Sequence, residues 1–186
     1  MKQKLQISLL AYSAIVFISI GQVEVIELQD KHLTEVKTVM ATVCHEAFEL
    51  GESPESFEKE LDEMGEFNDL NGAQQVYFGN RGAFLLLIDN NKVFGMGGVK
   101  KLTNEVCELK KMWILKEYRQ QGYGNLLGSR LESFARKQGY KKARLEFWFP
   151  EKQSRVIEVA KAQGFYEIEP YCKSEAKIYM EKSLDT

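Results

Sequence analysis

Two glycines separated by one residue mark the part of the chain that is best suited to bind a phosphate group. Gly122 and Gly124 follow an alternating, strand-like segment over residues 108–115 and precede a segment whose apolar residues recur at helical spacing. In a turn that opens a helix, backbone N–H groups point outward and the helix dipole is positive. A side chain at either glycine would hold a pyrophosphate away from those amides. The sequence therefore predicts an anion site between the strand and the helix.

Two well-known nucleotide-binding loops can be compared with this spacing. A Walker loop needs a glycine, four residues and then Gly-Lys-Ser/Thr, and the chain contains no such run. A dinucleotide-binding loop needs Gly-x-Gly-x-x-Gly, and Leu127 stands where the third glycine would be. A pair of glycines alone is weak evidence, because tight turns before helices are common.

The residues around the glycines carry a more specific pattern. Arg119–Gly124 reads Arg-Gln-Gln-Gly-Tyr-Gly and resembles the Arg/Gln-x-x-Gly-x-Gly/Ala motif of the GNAT superfamily, the acyl-CoA-dependent N-acyltransferases. Residues 112–118 resemble the strand and elbow of that family, and Gly164-Phe165 after a short helix is another of its hallmarks. The resemblance extends from about Val23 to the C-terminus. It implies transfer of an acetyl group from acetyl-CoA to a primary amine of a small molecule or peptide, by direct attack in a ternary complex.

The resemblance also implies which residues bind the co-substrate. The amides of residues 120–125 would bind the pyrophosphate of coenzyme A, and the backbone of residues 112–114 would lie beside its pantetheine arm. Gln153 corresponds to an asparagine of the family and would donate a hydrogen bond to the cofactor. Lys116, Arg130 and Lys152 are further candidates for phosphate pairing, with solvated surface charge as the alternative. The expected cofactor-binding residues are Met112, Trp113, Ile114, Arg119, Gln120, Gln121, Gly122, Tyr123, Gly124, Asn125 and Gln153.

Acyl transfer also needs a polarised thioester carbonyl and a group that takes a proton from the amine. The resemblance implies that the backbone amide of Ile114 has the first role. It implies that Glu108, which aligns with the general base of histone-acetylating members, has the second role. Strand alternation predicts that Glu108, Lys110, Met112 and Ile114 lie on one face. An ion pair of Glu108 with Lys110 or with a lysine of a neighbouring strand is the alternative, and Glu146 is the second candidate for the base.

One position departs from the family pattern. Many members carry a tyrosine four residues before the Gly-Phe pair, which protonates the leaving thiolate, and here that position is Ala160. Tyr166, Tyr171 or Tyr179 could replace it, and Tyr171 is included among the expected catalytic residues. Alternatively no acid is needed, because a thiol of pKa about 8.5 leaves readily as thiolate. The departure also keeps a second function open, a catalytically weak acyl-CoA-binding sensor or interaction domain of the same fold.

The hydrophobic pattern predicts the elements that position these residues. Strands are predicted at 23–28, 83–88, 92–99, 106–115, 142–149, 165–169 and 176–182, and helices at 31–50, 54–64, 124–138 and 154–163. Residues 69–82 are predicted to be a loop with a short extended piece at residues 76–78. Together with the resemblance, this order predicts a single α/β domain. Its sheet is mixed and mostly antiparallel, with a splayed central strand pair and about four flanking helices.

Composition limits the class of protein. With 186 residues, 44% hydrophobic and 28% charged, the chain is typical of one soluble globular domain. A net charge of -2 argues against a nucleic-acid-binding protein. Three cysteines and two histidines form neither a disulfide framework nor a zinc motif, so no metal is expected and a reducing compartment fits. The acidic early helices are interpreted as a solvated face, with attraction of a cationic acceptor as the alternative.

The first 21 residues form an apolar extension ahead of the predicted N-acetyltransferase domain, residues 22–186. Lys2 and Lys4 precede an apolar run, and Ser19-x-Gly21 would serve as a cleavage site, as in a secretory leader. A leader, a membrane anchor through residues 5–20 and a start-site artefact stay open. Because export would separate the enzyme from acetyl-CoA, the expected location is the cytoplasm. The acceptor cannot be named from the sequence, and a homodimer is left open.

Overall fold

In the computed structural model, which describes residues 23–185, the chain forms one sheet with helices on both of its faces. The strands are β1 Glu24–Glu27, β2 Ala83–Asp89, β3 Lys92–Lys101, β4 Val106–Ile114, β5 Lys142–Phe147, β6 Tyr166–Ile168 and β7 Ile178–Ser183. The helices are α1 Leu33–Phe48, α2 Pro54–Glu63, α3 Asn68–Asn71, α4 Ala73–Val76, α5 Tyr123–Lys137 and α6 Pro150–Ala162. The predicted α/β class is confirmed.

The sheet is mixed and mostly antiparallel, as predicted. Its strand order is β1-β2-β3-β4-β5-β7-β6, and only the β4–β5 pair is parallel. Asn90 and Asn91, both with positive φ, form the turn that joins β2 to β3 in a hairpin. The last two strands, β6 and β7, pair antiparallel.

The central parallel pair separates soon after it begins. Pairing between β4 and β5 joins only Val106–Glu108 to Lys142–Arg144. Beyond that point β4 continues to Ile114, while β5 stays paired with β7 up to Phe147. The two strands therefore diverge, and a gap opens beside the second half of β4. This is the predicted splayed pair.

A β-bulge interrupts β4 on its other edge, where it faces β3. Lys110 pairs with Gly98 and Trp113 pairs with Met96, so two residues of β4 stand opposite a single residue of β3. Lys111, the first of the two, has a φ of 53°. That left-handed conformation is uncommon for a residue with a side chain.

The bulge overturns the prediction that Glu108, Lys110, Met112 and Ile114 share one face. The ammonium groups of Lys110 and Lys111 both lie within 3.8 Å of the Asp69 carboxylate in α3. Met112 and Ile114 instead pack in the apolar cluster under α5. One extra residue in a strand moves every later side chain to the opposite face. Glu108, the expected base, therefore lies on the same strand as Met112 and Ile114, but its side chain is on the opposite face of the sheet.

Two apolar clusters, one on each face of the sheet, hold the helices in place. Under α1 and α2 the buried side chains include Val36, Met40 and Phe84. On the opposite face α5 and α6 cover a second cluster that includes Leu131 and Met180. Burial of apolar surface at about 25 cal/mol per Å² drives this packing. The two clusters fix β4 between α1 and α5.

Two regions depart from the predictions by more than two residues. Residues 69–82 hold most of α3, then α4 and a short 3₁₀ turn, so the extended piece predicted at residues 76–78 is wrong. Tyr77 is fully buried there, and its hydroxyl donates to Asp69 Oδ2 at 2.7 Å, which holds the segment compact. Helix α6 begins at Pro150 rather than Ser154, because proline suits the first position of a helix, where no N–H is needed.

The predictions for residues 1–21 fall outside the described residues. Within residues 23–185, no helix is both long enough and apolar enough to cross a membrane. The domain boundary at residue 22 stays a prediction.

Candidate active site

The turn between β4 and α5 presents a row of backbone amides. Gln120 and Gly122 have φ values of 64° and 88°, which reverse the chain from the strand into the helix. Among residues 23–185 no group accepts a hydrogen bond from the amides of residues 120–125. Consecutive free N–H groups at the start of a long helix form a site for an anion.

The two glycines leave open space beside this row. A Cβ added at Gly122 would have no atom within 4 Å, and one added at Gly124 would meet only Ile114 Cδ1, at 3.9 Å. Neither glycine is therefore required by internal packing. The space that a side chain would take is free for a ligand that approaches the amides.

Side chains of the turn point into the protein and fix its shape. The Phe94 ring stacks on Tyr118 with ring centroids 4.0 Å apart. Tyr123 contacts the Phe94 ring edge-on, with centroids 5.0 Å apart. Gln121 Nε2 donates to the carbonyl of Glu117 at 2.7 Å. These contacts hold a rigid turn whose outward groups are backbone amides.

Arg119 and Asn125 also anchor the turn. Arg119 Nε donates to the Ile114 carbonyl at 2.8 Å, and its Nη2 lies 3.7 Å from Glu46 Oε2. Asn125 Oδ1 accepts from Gln163 Nε2 at 2.9 Å, which ties α5 to α6. The arginine of the sequence motif thus connects the turn to the end of β4 through its side chain.

The Ile114 amide faces the gap. Leu115 N donates to the Phe94 carbonyl at 2.9 Å, so Leu115 and Trp113 bond towards β3. In an antiparallel ladder successive residues bond to opposite edges, and Ile114 and Met112 therefore direct their amides away from β3. No strand pairs with that edge of β4 beyond Glu108 in the described part of the chain.

Glu108 lies where the two central strands part. Its side chain is only 6% exposed, its Oε1 accepts from the Tyr171 hydroxyl at 2.6 Å, and its Oε2 lies 3.7 Å from Lys110 Nζ. Tyr171 stands in the loop before β7, with Arg144 Cζ 4.8 Å from its ring centroid. Burial, then the charge of Glu108 and the hydrogen bond to it, raise the pKa of Tyr171. Tyr171 is therefore held neutral as a hydrogen-bond donor to Glu108.

The other candidates have different partners. Glu146 Oε2 accepts from Ser174 Oγ at 2.8 Å, and the Tyr179 hydroxyl lies 2.9 Å from that same Oγ. Tyr166 donates to Glu181 at 2.8 Å. Of the three tyrosines considered in place of the residue at position 160, Tyr171 alone contacts Glu108 within the described residues.

Two polar residues of α6 serve its own packing. Gln153 Oε1 accepts from the amides of Trp148 and Phe149 at 3.0 and 2.9 Å, which fixes the entry into α6. Lys152 Nζ donates to the Phe48 carbonyl at 2.6 Å and to Glu49 Oε2 at 2.8 Å. The lysine considered for phosphate pairing therefore joins α6 to the end of α1.

Sequence reasoning missed the contacts that hold the bulge. Lys111 Nζ and Lys110 Nζ both lie within 3.8 Å of Asp69. A Lys-Lys pair within a strand gives no sign of which lysine takes the positive φ. In residues 23–185 no cluster of three or more His, Cys, Asp or Glu side chains is arranged to hold a metal ion.

Comparisons with known proteins show what this chain is similar to. A model of the acetyltransferase (GNAT) family matches residues 39–167. A GNAT-family acetyltransferase from Staphylococcus aureus Mu50 has a similar structure, with a TM-score of 0.74, 20% identity and coverage of 88% of this chain and 99% of that one. PaiA N-acetyltransferase from Thermoplasma acidophilum, in complex with coenzyme A, has a TM-score of 0.70, 19% identity and coverage of 87% and 98%. A search of curated proteins finds no match. At these identities the structural likeness shows the fold alone.

Proposed function

The chain belongs to the acetyltransferase (GNAT) family, and we propose that it moves an acetyl group from acetyl-CoA to a primary amine of a small molecule or peptide. One observation carries the proposal. The free amides of residues 120–125 lie at the start of α5, directly beyond the strand whose open edge lines the gap. If a diphosphate binds to these amides, the arm attached to it can extend along the open edge of β4.

The residues present fit coenzyme A. The amides would bind the pyrophosphate, the open space at Gly124 would admit it, and the edge of Met112–Ile114 would lie beside the pantetheine arm. The PaiA protein, similar in fold, was solved with coenzyme A. When bound, acetyl-CoA supplies an acetyl group activated as a thioester.

The gap supplies hydrogen-bond donors to a thioester carbonyl. The amides of Met112 and Ile114 point away from β3 along the open edge, and a backbone donor held in a strand does not need to reorganise during reaction. Because the donor is a backbone amide, almost any residue type can supply it, and the sequence alone does not reveal this role. Ile114 keeps its proposed place as the donor to the oxygen that gains charge.

Glu108 is the proposed general base, acting on the amine directly or through one water. Its buried carboxylate stands at the apex of the gap, and Lys110 and Tyr171 fix its orientation. The raised pKa of Tyr171 makes it a poor proton donor to a thiolate. Its contact favours orientation of Glu108 over protonation of the leaving group, and the thiolate then leaves unprotonated.

Thiol release from acetyl-CoA with a panel of amines tests the proposal. We expect at least one monoamine, polyamine, aminoglycoside or lysine peptide to raise the rate at least about tenfold above hydrolysis. Direct attack further predicts that no acetylated protein is found by mass spectrometry without an acceptor. Tight binding of acetyl-CoA with no amine-dependent thiol release across the panel would reject the transfer activity.

A further inference from the structure

We propose that Asp69 is a positioning residue, which holds the β4 bulge so that the Met112 and Ile114 amides face the gap. Asp69 lies in α3, on the face of the sheet opposite α5 and away from the turn of residues 120–125. The inference rests on the proposed acetyl transfer, because it assigns those two amides to the thioester carbonyl.

The bulge needs an external anchor. Lys111 adopts a φ of 53°, a conformation that a residue with a side chain keeps only when its surroundings enforce it. Its side chain is 8% exposed, and its Nζ donates to the Glu66 carbonyl at 2.7 Å. The same Nζ lies 3.6 Å from Asp69 Oδ1 and 3.6 Å from Glu66 Oε2. A buried ammonium group held by Glu66 and by Asp69 of α3 thus keeps this strained residue in place.

Asp69 connects this anchor to the proposed base. Its side chain is 15% exposed, its Oδ2 lies 3.8 Å from Lys110 Nζ, and it accepts from the Tyr77 hydroxyl at 2.7 Å. Lys110 Nζ is in turn 3.7 Å from Glu108 Oε2. One carboxylate therefore lies between the lysine of the bulge and the lysine beside the base. Removing its charge leaves two neighbouring ammonium groups without their shared counter-ion.

The consequence for the gap follows from the ladder. Without the anchor, Lys111 can relax to a negative φ and β4 can lose its extra residue opposite β3. A change of one residue exchanges the edges to which the following amides point. The amides of Met112 and Ile114 would then turn away from the gap, although neither residue contacts Asp69.

Two coenzyme A derivatives test whether the Met112 and Ile114 amides bind the thioester oxygen, and the test needs no amine acceptor. Acetyl-CoA carries the thioester oxygen, whereas S-ethyl-coenzyme A is a thioether that lacks it. By isothermal titration we expect the wild type to prefer acetyl-CoA by about fivefold, as for one net hydrogen bond. Asp69→Asn, which keeps the shape but not the charge, should bind the two alike. Tyr77→Phe removes a neutral donor to the same carboxylate and should keep the preference.

Two substitutions of the bulge residue give a second measurement. Lys111→Met removes the ammonium but keeps most of the stem, whereas Lys111→Gly removes both and adopts a positive φ freely. In ¹H–¹⁵N spectra of the free protein, the Met112 and Ile114 amide resonances should move in Asp69→Asn and Lys111→Met. In Lys111→Gly they should stay near their wild-type positions, and the preference for acetyl-CoA should survive.

The outcomes separate this inference from the proposed function. No binding of either derivative by the wild type would defeat the proposed function, and the free-protein spectra would then decide the role of Asp69. An unchanged preference in Asp69→Asn, an equal loss in Tyr77→Phe, or no preference in the wild type would overturn the inference. If Asp69→Asn does not fold, the contrast between Lys111→Gly and Lys111→Met decides, and equal behaviour of the two contradicts the inference.

Discussion

Glu108 is a buried carboxylate with one hydroxyl donor and one nearby ammonium group, at the last paired position between β4 and β5. Such a group is either a structural ion pair or a base kept in position. Lys110 is close enough to Glu108 to form a structural ion pair. Glu108 also lies beside the gap, as a base would need to. A fixed carboxylate at the apex of a gap can do both.

Replacing Glu108 separates the two roles. Glu108→Gln keeps the shape and removes the basic oxygen, so we expect kcat to fall by about 10²- to 10⁴-fold. The KM for acetyl-CoA should change little, because the amides that bind it are untouched. Glu146→Gln, the second carboxylate considered, is the matched control and should lose far less activity. The opposite order of the two variants would assign the base to Glu146.

Tyr171→Phe tests the contact at the base. Loss of the hydroxyl leaves a buried carboxylate short of a donor, so the free energy of unfolding should fall by about 1–3 kcal/mol. The ring that contacts Arg144 is retained. In a double-mutant cycle with Glu108→Leu, which removes the acceptor, the two effects measured by urea unfolding should not add. Strict additivity would show that the hydrogen bond contributes nothing.

At this scale Glu108 became a candidate base through the resemblance to the GNAT superfamily, in which it aligns with the base of histone-acetylating members. The sequence could not predict the partner, because Tyr171 is 63 residues away and lies in a loop with no hydrophobic pattern. Arg119 illustrates the same limit. Its place in the motif was visible, but its bond to the Ile114 carbonyl depends on how the turn folds back.

At the scale of elements, β3 and β4 shape the gap together. An added Cβ at Gly97 would lie 3.0 Å from Leu131 Cδ1 and 3.2 Å from Met112 Cγ, so the bulged strand packs against a glycine that cannot be enlarged freely. The face of each side chain was mispredicted, since alternation was continued through Lys111.

Gly124→Leu separates helix stability from ligand binding. Gly124 lies in the first turn of α5, where leucine is the better helix former, so the melting temperature should stay the same or rise. The longer side chain would fill the space beside the free amides, and the Kd for coenzyme A should rise at least about tenfold, or 1.4 kcal/mol. Gly128→Ala in the same helix is the control, because an added Cβ there meets only Met112 Cε at 3.6 Å. Unchanged coenzyme A binding in Gly124→Leu would contradict the proposed approach to the amides.

At the scale of the molecule, the strands beyond the gap are joined by charge. Glu181 of β7 accepts from Lys142, Arg144 and Tyr166. Burial alone would raise the pKa of Glu181, but these hydrogen bonds together lower it to about 2. The cluster binds the first half of β5, which is still paired with β4, to β7 and β6.

This cluster predicts an acid-dependent loss of stability. Because the folded-state pKa of Glu181 is depressed, its contribution is present above the ordinary value of 4.5 and is lost as the pH falls towards about 2. Glu181→Gln should unfold more easily at pH 7, by about 2 kcal/mol, since charged hydrogen bonds are lost. Its stability should also depend less on pH within that window. Parallel pH profiles of urea unfolding for the two proteins would refute this role.

The strands of the sheet and the four longer helices could be predicted because their hydrophobic residues recur with the period of a strand or a helix. The α3–α4 region could not, because its form depends on the buried hydrogen bond of Tyr77 to Asp69. Short helices without a periodic face carry no local signal. The same region holds the residues proposed to position the bulge.

Titration of coenzyme A and its fragments tests the central claim most directly. If the amides of residues 120–125 bind the diphosphate, dephospho-coenzyme A should bind nearly as well as coenzyme A, because both contain it. Pantetheine, which lacks it, should bind at least about a hundredfold more weakly, a difference of 2.7 kcal/mol. Absence of coenzyme A binding, or equal affinity for pantetheine, would contradict the account.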